Sequence, residues 1–170
     1  MSAPLLRGDQ AVVSVFVAVS QADAFEVFTE EIDLWWRRGP RYRIAGKKPG
    51  ALQFEPRPGG RLFETVELPS GKRLFEVGTV TVWEPPARLV FEWRGVNFAP
   101  GEKTEVEVLF EGTETGTRVR LTHRGWSALR DDHPARHGLT GAAFTRRIGM
   151  WWSDRLRSYT EHAPESRRAD

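Results

Sequence analysis

Closely spaced proline and glycine turns divide the middle of this chain into short segments, and one long amphipathic stretch follows them. These turn signals recur between residues 49 and 116 and separate runs of typical strand composition. The predicted strands are 51–55, 61–68, 73–84, 88–94, 104–111 and 117–124. Because such short strands with short connections are most simply joined as antiparallel hairpins, the sequence predicts a meander.

Three of these strands alternate apolar and polar residues, which predicts a sheet with one apolar face. The apolar positions are Leu89, Phe91 and Trp93, then Val106, Val108 and Phe110, then Val119, Leu121 and His123. In segment 73–84 two alternations compete, so its inward face is not predicted. Gly78 in that segment is typical of a bulge or a bend.

The two ends of the chain supply the remaining elements. Residues 11–19 predict a further strand, and Ser20 with Asp23 predicts a capped helix to about residue 36, broken near Thr29. Apolar residues at helical spacing predict an amphipathic helix of about five turns at 142–159, followed by a frayed tail from Pro164. A sheet and a helix with one apolar face each can bury both faces together, which predicts an α+β fold.

Length and composition bound the class of protein. The 170 residues correspond to a single domain, with a core of about 11–160 and termini at 1–10 and 161–170. The absence of cysteine excludes disulfides and thiolate chemistry and favours a cytoplasmic location. No run of residues is long and apolar enough for a membrane span, and the formal charge of +2 does not indicate nucleic-acid binding.

Several short motifs occur in a characteristic order along the chain. They are residues 24–36, the run 55–61 (EPRPGGR), Gly78-Thr79-Val80, the run 83–91 (WEPPARLVF), the run 121–126 (LTHRGW), and Trp152 four residues before Leu156. Together they resemble the activator of heat-shock protein 90 ATPase homologue-like branch of the SRPBCC (START-like) superfamily. The resemblance implies a helix-grip fold, in which a curved antiparallel sheet wraps around a long C-terminal helix and encloses a hydrophobic cavity, with short helices after the first strand.

Aromatic residues are concentrated where that cavity is expected. Ligand pockets are commonly lined by aromatic side chains and a few polar groups, here with His123, Tyr42 and Glu64 in the orienting role. The predicted ligand-binding residues are Trp35, Trp36, Tyr42, Phe54, Phe63, Glu64, Phe75, Phe91, Trp93, Val106, Val108, Leu121, His123, Trp126, Phe144, Ile148, Trp151 and Trp152. The alternative is that these rings fill the core completely.

Three hypotheses of function follow, because the superfamily includes carriers, receptors, cyclases and co-chaperone modules and a fold does not determine a function. The first is binding of a small apolar or amphipathic molecule. The second is a cyclase-like or hydrolase-like enzyme, in which His123 and a carboxylate such as Glu64 move protons. The third is a co-chaperone-like module that meets an acidic protein through a basic segment, at Arg37, Arg38, Arg41 and Arg43.

Other chemistry has no positive signal in the sequence. No set of catalytic residues, cofactor motif or phosphate-binding loop is present. His133 and His137 have the spacing of two ligands on a helix, but Pro134 between them favours a polar loop, so no metal site is predicted. Nucleic acid is not an expected partner, and a homodimer remains open.

Overall fold

The computed structural model describes residues 9–95 and 97–168, which form a single antiparallel sheet with helices on its concave side. The strands are β1 (Ala11–Val17), β2 (Gly50–Phe54), β3 (Arg61–Leu68), β4 (Gly71–Glu84), β5 (Arg88–Trp93), β6 (Thr104–Gly112) and β7 (Thr117–Arg124). The α-helices are α1 (Gln21–Glu30), α2 (Ile32–Trp35) and α3 (Gly141–Ser166). Short 3-10 helices lie at Trp126–Ala128 and Pro134–Arg136.

The sheet order is β1-β7-β6-β5-β4-β3-β2, so strands β2 to β7 form the predicted meander and β1 closes onto β7. Every pairing in the sheet is antiparallel. The sheet curls around α3, which is the predicted helix-grip fold. No helix in the described part of the chain is long and apolar enough to cross a membrane.

The core lies between the concave face of the sheet and α3. Leu89, Val108 and Leu121 lie side by side in register on β5, β6 and β7, and all three are fully buried. This arrangement confirms the face predicted by alternation. The buried stripe of α3 faces it, with Phe144, Ile148, Trp152, Leu156 and Tyr159.

Strand β4 does not follow a single alternation because its pairing with both neighbours is irregular. One extra residue, Val77, interrupts the register with β3, and another, Thr81, interrupts the register with β5. Each extra residue reverses the alternation of the positions that follow it. Val80 and Trp83 therefore both pack against the core although three positions separate them, which explains why segment 73–84 gave no inward face.

Gly78 lies in the first bulge, where a Cβ atom would collide with the backbone carbonyl oxygen of Glu92. We expect Gly78→Ala to lower the free energy of unfolding by about 1–3 kcal/mol, because the strand must shift to relieve the overlap. Gly149→Ala is the matched control: no heavy atom lies within 4 Å of a Cβ at this helical position. That change should raise stability by up to about 1 kcal/mol. Urea denaturation followed by circular dichroism measures the free energy of unfolding of both variants. Equal effects would contradict the close backbone contact at Gly78.

The helices near the two ends of the chain differ in detail from the sequence predictions. Ser20 caps α1 by accepting a hydrogen bond from the Asp23 N–H at 3.2 Å, as predicted, and the break falls at Glu31. The predicted frayed tail is wrong up to Ser166, because α3 continues through Pro164 to that residue. Of the other residues predicted as termini, 9, 10, 167 and 168 precede β1 or follow α3, and 1–8 and 169–170 lie outside the described residues.

Tertiary contacts hold the last turns of α3 in place. The Ser166 hydroxyl donates to Glu31 at 2.6 Å, and the His162 ring nitrogen lies 2.9 Å from the same carboxylate oxygen. Arg167 forms ion pairs with Glu31 and Glu26 at 3.1 and 3.0 Å. These contacts with α1 and its end favour continuation of the helix, although Pro164 lacks the N–H of a helical hydrogen bond.

Candidate functional site

A cavity of about 850 Å³ lies between the concave face of the sheet and the first half of α3. Strands β2 to β5 supply one wall and α3 supplies the opposite wall. The segment that follows α2, residues 36–46, covers one side. Exposed side chains such as Arg41 and Arg147 are at its mouth, so the cavity is open to solvent. Its described lining includes no residue of β1, β6 or β7.

Seven of the eighteen residues predicted to bind a ligand line this cavity: Trp36, Tyr42, Glu64, Trp93, Trp126, Ile148 and Trp151. The other eleven do not: Trp35, Phe54, Phe63, Phe75, Phe91, Val106, Val108, Leu121, His123, Phe144 and Trp152. The cavity therefore occupies only one end of the region in which the sequence placed it.

Most of these eleven residues belong to a tightly packed half of the core, as the alternative of completely filled packing requires. Trp35 illustrates this packing, since its ring centroid lies 5.0 Å from that of Phe28 and 5.2 Å from that of Tyr159. Phe63 is excluded for another reason: successive residues of a strand face opposite sides, and its neighbour Glu64 faces the cavity. Aromatic rings therefore line a cavity in one part of the molecule and fill the core in another.

His123 faces inward as predicted, but it is completely buried and lies outside the cavity lining. The Trp152 indole N–H donates to its Nδ1 at 2.9 Å, and its Nε2 lies 2.6 Å from the Thr104 hydroxyl oxygen. Because an indole N–H can only donate, Nδ1 accepts and the neutral ring carries its proton on Nε2. Burial, together with the positive charge of Arg155, lowers the pKa of His123 to about 3. The ring is therefore neutral and fully hydrogen-bonded at physiological pH.

Glu64 lines the cavity and is buried, yet both of its carboxylate oxygens are occupied. They accept backbone N–H bonds from Ile44 at 2.9 Å and from Ala45 at 2.7 Å. The carboxylate thus anchors the segment that covers the cavity. The predicted pairing of His123 and Glu64 as acid and base is not what the structure contains, because each group is committed to structural hydrogen bonds of its own.

Arg155 is the buried charged residue of α3 that lines the cavity and that the sequence prediction missed. It is 1% exposed, and its guanidinium carbon lies 3.7 Å from the Trp151 ring centroid. Four further rings surround the same group at 4.8 to 6.0 Å: Trp36, Tyr42, Trp152 and Trp93. The signal was present in the sequence, because position 155 lies four residues after Trp151 and seven after Ile148, on the apolar stripe of α3.

No carboxylate among the described residues forms a close ion pair with Arg155, although the charge of the adjacent Asp154 partly offsets the effect of burial. The Nε and Nη1 atoms of Arg155 are buried and have no hydrogen-bond partner among the described residues. Burial lowers the pKa of Arg155 to about 9, so the group remains a cation at neutral pH. The indole nitrogen of Trp126, another lining residue, also lacks a partner. The unsatisfied buried side-chain atoms in the described lining are therefore all donors.

The basic segment is less free than the sequence predicted. Arg43 is buried, and its guanidinium donates to the Asp33 side chain at 2.5 Å and to the Trp36 carbonyl at 2.8 Å. Arg38 pairs with the same aspartate at 3.1 Å, and Arg37 donates to the Asp154 carbonyl at 2.8 Å. The prediction that Arg43 contributes to an exposed partner surface is wrong, because Asp33 and the surrounding backbone carbonyls hold it inside.

The two histidines considered as metal ligands have separate roles. His133 is buried, lies 2.9 Å from a Glu102 carboxylate oxygen, and accepts the Ala135 N–H on its other ring nitrogen. His137 is exposed and adopts a positive φ of 49° at the end of the Pro134–Arg136 turn. No group of three metal-ligating side chains occurs within residues 9–95 and 97–168.

Solved structures with the same fold include two bacterial proteins that align over nearly the whole chain. Protein NE0264 from Nitrosomonas europaea is 16% identical, with a TM-score of 0.62 over 98% of this chain and 100% of that one. ChR145 from Cytophaga hutchinsonii is 11% identical, with a TM-score of 0.65 over 95% of this chain and 98% of that one. At these identities the similarity concerns the fold alone.

A third solved structure is closer in sequence but superimposes less well. Txn09, an anthrahydroquino-γ-pyrone synthase, is 35% identical over 69% of this chain and 77% of that one. Its TM-score of 0.49 is too low to support a comparison of the two sites. No curated protein matches the chain.

A family model provides the classification, since it matches residues 12–148, which extend from β1 into α3. The match covers the motifs on which the sequence resemblance rests, apart from the Trp152 and Leu156 pair. The chain therefore belongs to the family described as Activator of Hsp90 ATPase homolog 1-like protein.

Proposed function

We propose that this protein binds a small hydrophobic or amphipathic molecule in the cavity between the curved sheet and α3. The observation that carries the proposal is the cavity itself, whose volume of about 850 Å³ is within the usual range for ligand sites. Four indole rings contribute to its lining: Trp36, Trp93, Trp126 and Trp151. A guest would remove these apolar surfaces from water, which favours binding.

The size of the cavity supports a modest affinity. A ligand of about 20 heavy atoms that gains about 0.3 kcal/mol per atom has a binding free energy of about 6 kcal/mol. This free energy corresponds to a dissociation constant in the tens of micromolar. An affinity of this size would suit a carrier or sensor of an abundant metabolite.

The other two hypotheses have weaker support in the structure. The enzyme hypothesis assigns proton transfer to His123 and Glu64, and both groups are engaged in internal hydrogen bonds. A basic docking surface for an acidic protein needs exposed cations, whereas Arg43 is buried and paired with Asp33. Ligand binding requires only the cavity and the groups that line it.

Binding of N-phenyl-1-naphthylamine, a neutral probe whose fluorescence rises in apolar surroundings, tests the proposal. We expect a dissociation constant in the tens of micromolar for the native protein. Ile148→Trp should weaken binding at least tenfold, because Ile148 lines the cavity and a larger ring would occupy its space. The measurement is a fluorescence titration of each protein.

Leu34→Trp is the matched control, because Leu34 is 67% exposed on α2 and is not a lining residue. This variant adds the same indole elsewhere and should bind the probe as the native protein does. Thermal unfolding of both variants checks that each is folded. Equal affinity for the Ile148 and Leu34 variants, or no binding to the native protein, would reject the proposal.

A further inference from the structure

The guanidinium of Arg155 is held in an unusual environment for an unpaired cation. Its central carbon lies among aromatic rings, 3.7 Å from the centroid of Trp151 and 4.8 Å from that of Trp36. Aromatic rings stabilise a cation electrostatically, but they give its N–H groups no oxygen or nitrogen acceptor. The N–H groups therefore need an acceptor from elsewhere.

The protein supplies no such acceptor among its described residues. Nε and Nη1 of Arg155 are buried and lack hydrogen-bond partners. The lining contains two carboxylates, Glu64 and Asp154. Glu64 accepts two backbone N–H bonds from the covering segment, and Asp154 acts on Arg155 through its charge without a hydrogen bond or close ion pair. An unpaired buried charge is costly, so its retention on a cavity wall calls for an explanation.

The rest of the lining has the same electrostatic sign. Besides Arg155 it contains five arginines and the two carboxylates. Arg146, Arg147 and Arg41 lie exposed at the mouth, whereas Arg43 is paired with Asp33. A cleft lined mainly by one sign of charge attracts ligands of the opposite sign. The indole N–H of Trp126, another lining residue, is also buried without a hydrogen-bond partner among the described residues.

We infer that Arg155 is the anchor for the carboxylate of an aromatic or other flat apolar acid bound in this cavity. The inference rests on the proposed function and specifies the chemical class of its ligand. A carboxylate presents two coplanar oxygens, which match the planar fork of a guanidinium in a bidentate pair. The indole rings beside Arg155 then contact the apolar body of the ligand.

Calorimetric titration with 2-naphthoate and with its neutral isostere 2-acetylnaphthalene tests the inference. The two probes share the naphthalene ring and differ in the carboxylate. We expect the native protein to bind naphthoate at least tenfold more tightly than the ketone. Arg155→Met should abolish this preference, and Arg155→Lys should restore part of it because the charge returns without the fork.

Arg157→Met is the matched control, since Arg157 is exposed on the same helix and does not line the cavity. It should keep the full preference for naphthoate. N-Phenyl-1-naphthylamine tests the proposed function separately from the inference about Arg155, because it is neutral and should still bind to the Arg155→Met protein. If the native protein binds this probe but does not prefer naphthoate to the ketone, the inference is overturned and the proposed function stands. If none of the three probes binds the native protein, both the inference and the proposed function are overturned.

Discussion

Replacement of Trp152 by alanine is expected to lower the free energy of unfolding by about 3–5 kcal/mol, the usual cost of removing a large buried ring. Trp152 is 1% exposed, and its indole packs against Trp36, Trp93 and His123 at centroid distances of 5.6 to 5.9 Å. The change would also leave the Nδ1 atom of His123 without its donor. Urea denaturation followed by far-ultraviolet circular dichroism measures the loss.

Trp151→Ala provides the matched comparison from the adjacent position. Trp151 is only partly buried and lies on the cavity wall, where its ring centroid is 3.7 Å from the guanidinium carbon of Arg155. We expect it to cost about 1 kcal/mol, the scale of one cation–π contact. Similar losses for the two tryptophans would contradict the division between a packed core half and an open cavity half.

The stability of the protein is also expected to fall in mild acid, because His123 remains neutral in the folded state. Its pKa is lowered to about 3 by burial and by the charge of Arg155, whereas an unfolded histidine has a pKa of about 6.5. Between these two values the unfolded chain binds a proton that the folded chain does not. The contribution of neutral His123 to the free energy of unfolding is therefore complete above pH 6.5. It decreases by about 1.4 kcal/mol per pH unit as the pH falls toward 3.

Urea denaturation at pH 7 and pH 5 measures this effect. The native protein should lose about 2 kcal/mol more over this interval than His123→Gln, which cannot titrate. The control is His137→Asn, because His137 is exposed and asparagine tolerates its positive φ. His137→Asn should keep the native pH dependence. If His123→Gln and the native protein show the same dependence, the buried neutral histidine is not its source.

The main features of the fold could be predicted because they rest on local periodicity. Alternation placed Leu89, Val108 and Leu121 on one face, and helical spacing located α3 to within a turn at its start. The strand at 73–84 was predicted, but its inward face was not, because two extra residues reverse the alternation twice and such irregularities depend on the neighbouring strands. The end of α3 escaped prediction because it is held by contacts with Glu31, which is distant in sequence.

The site was predicted less completely, for a related reason. Composition indicates that a core is rich in aromatic rings, but the division of those rings between packing and cavity depends on three-dimensional fit. The inward orientation of His123 followed from alternation. The hydrogen bonds that occupy both of its ring nitrogens depend on Trp152 and Thr104, which lie far from it in the chain. Arg155 was overlooked because a charged residue on an apolar helical stripe is ordinarily placed on the solvent side.

A crystal structure of the protein grown with saturating N-phenyl-1-naphthylamine tests most directly whether the space beside α3 is a binding site. We expect electron density for the probe inside the cavity, in contact with Trp93 and Trp151. Density for the probe only at the protein surface, with these side chains collapsed into the space between the sheet and the helix, would contradict this expectation.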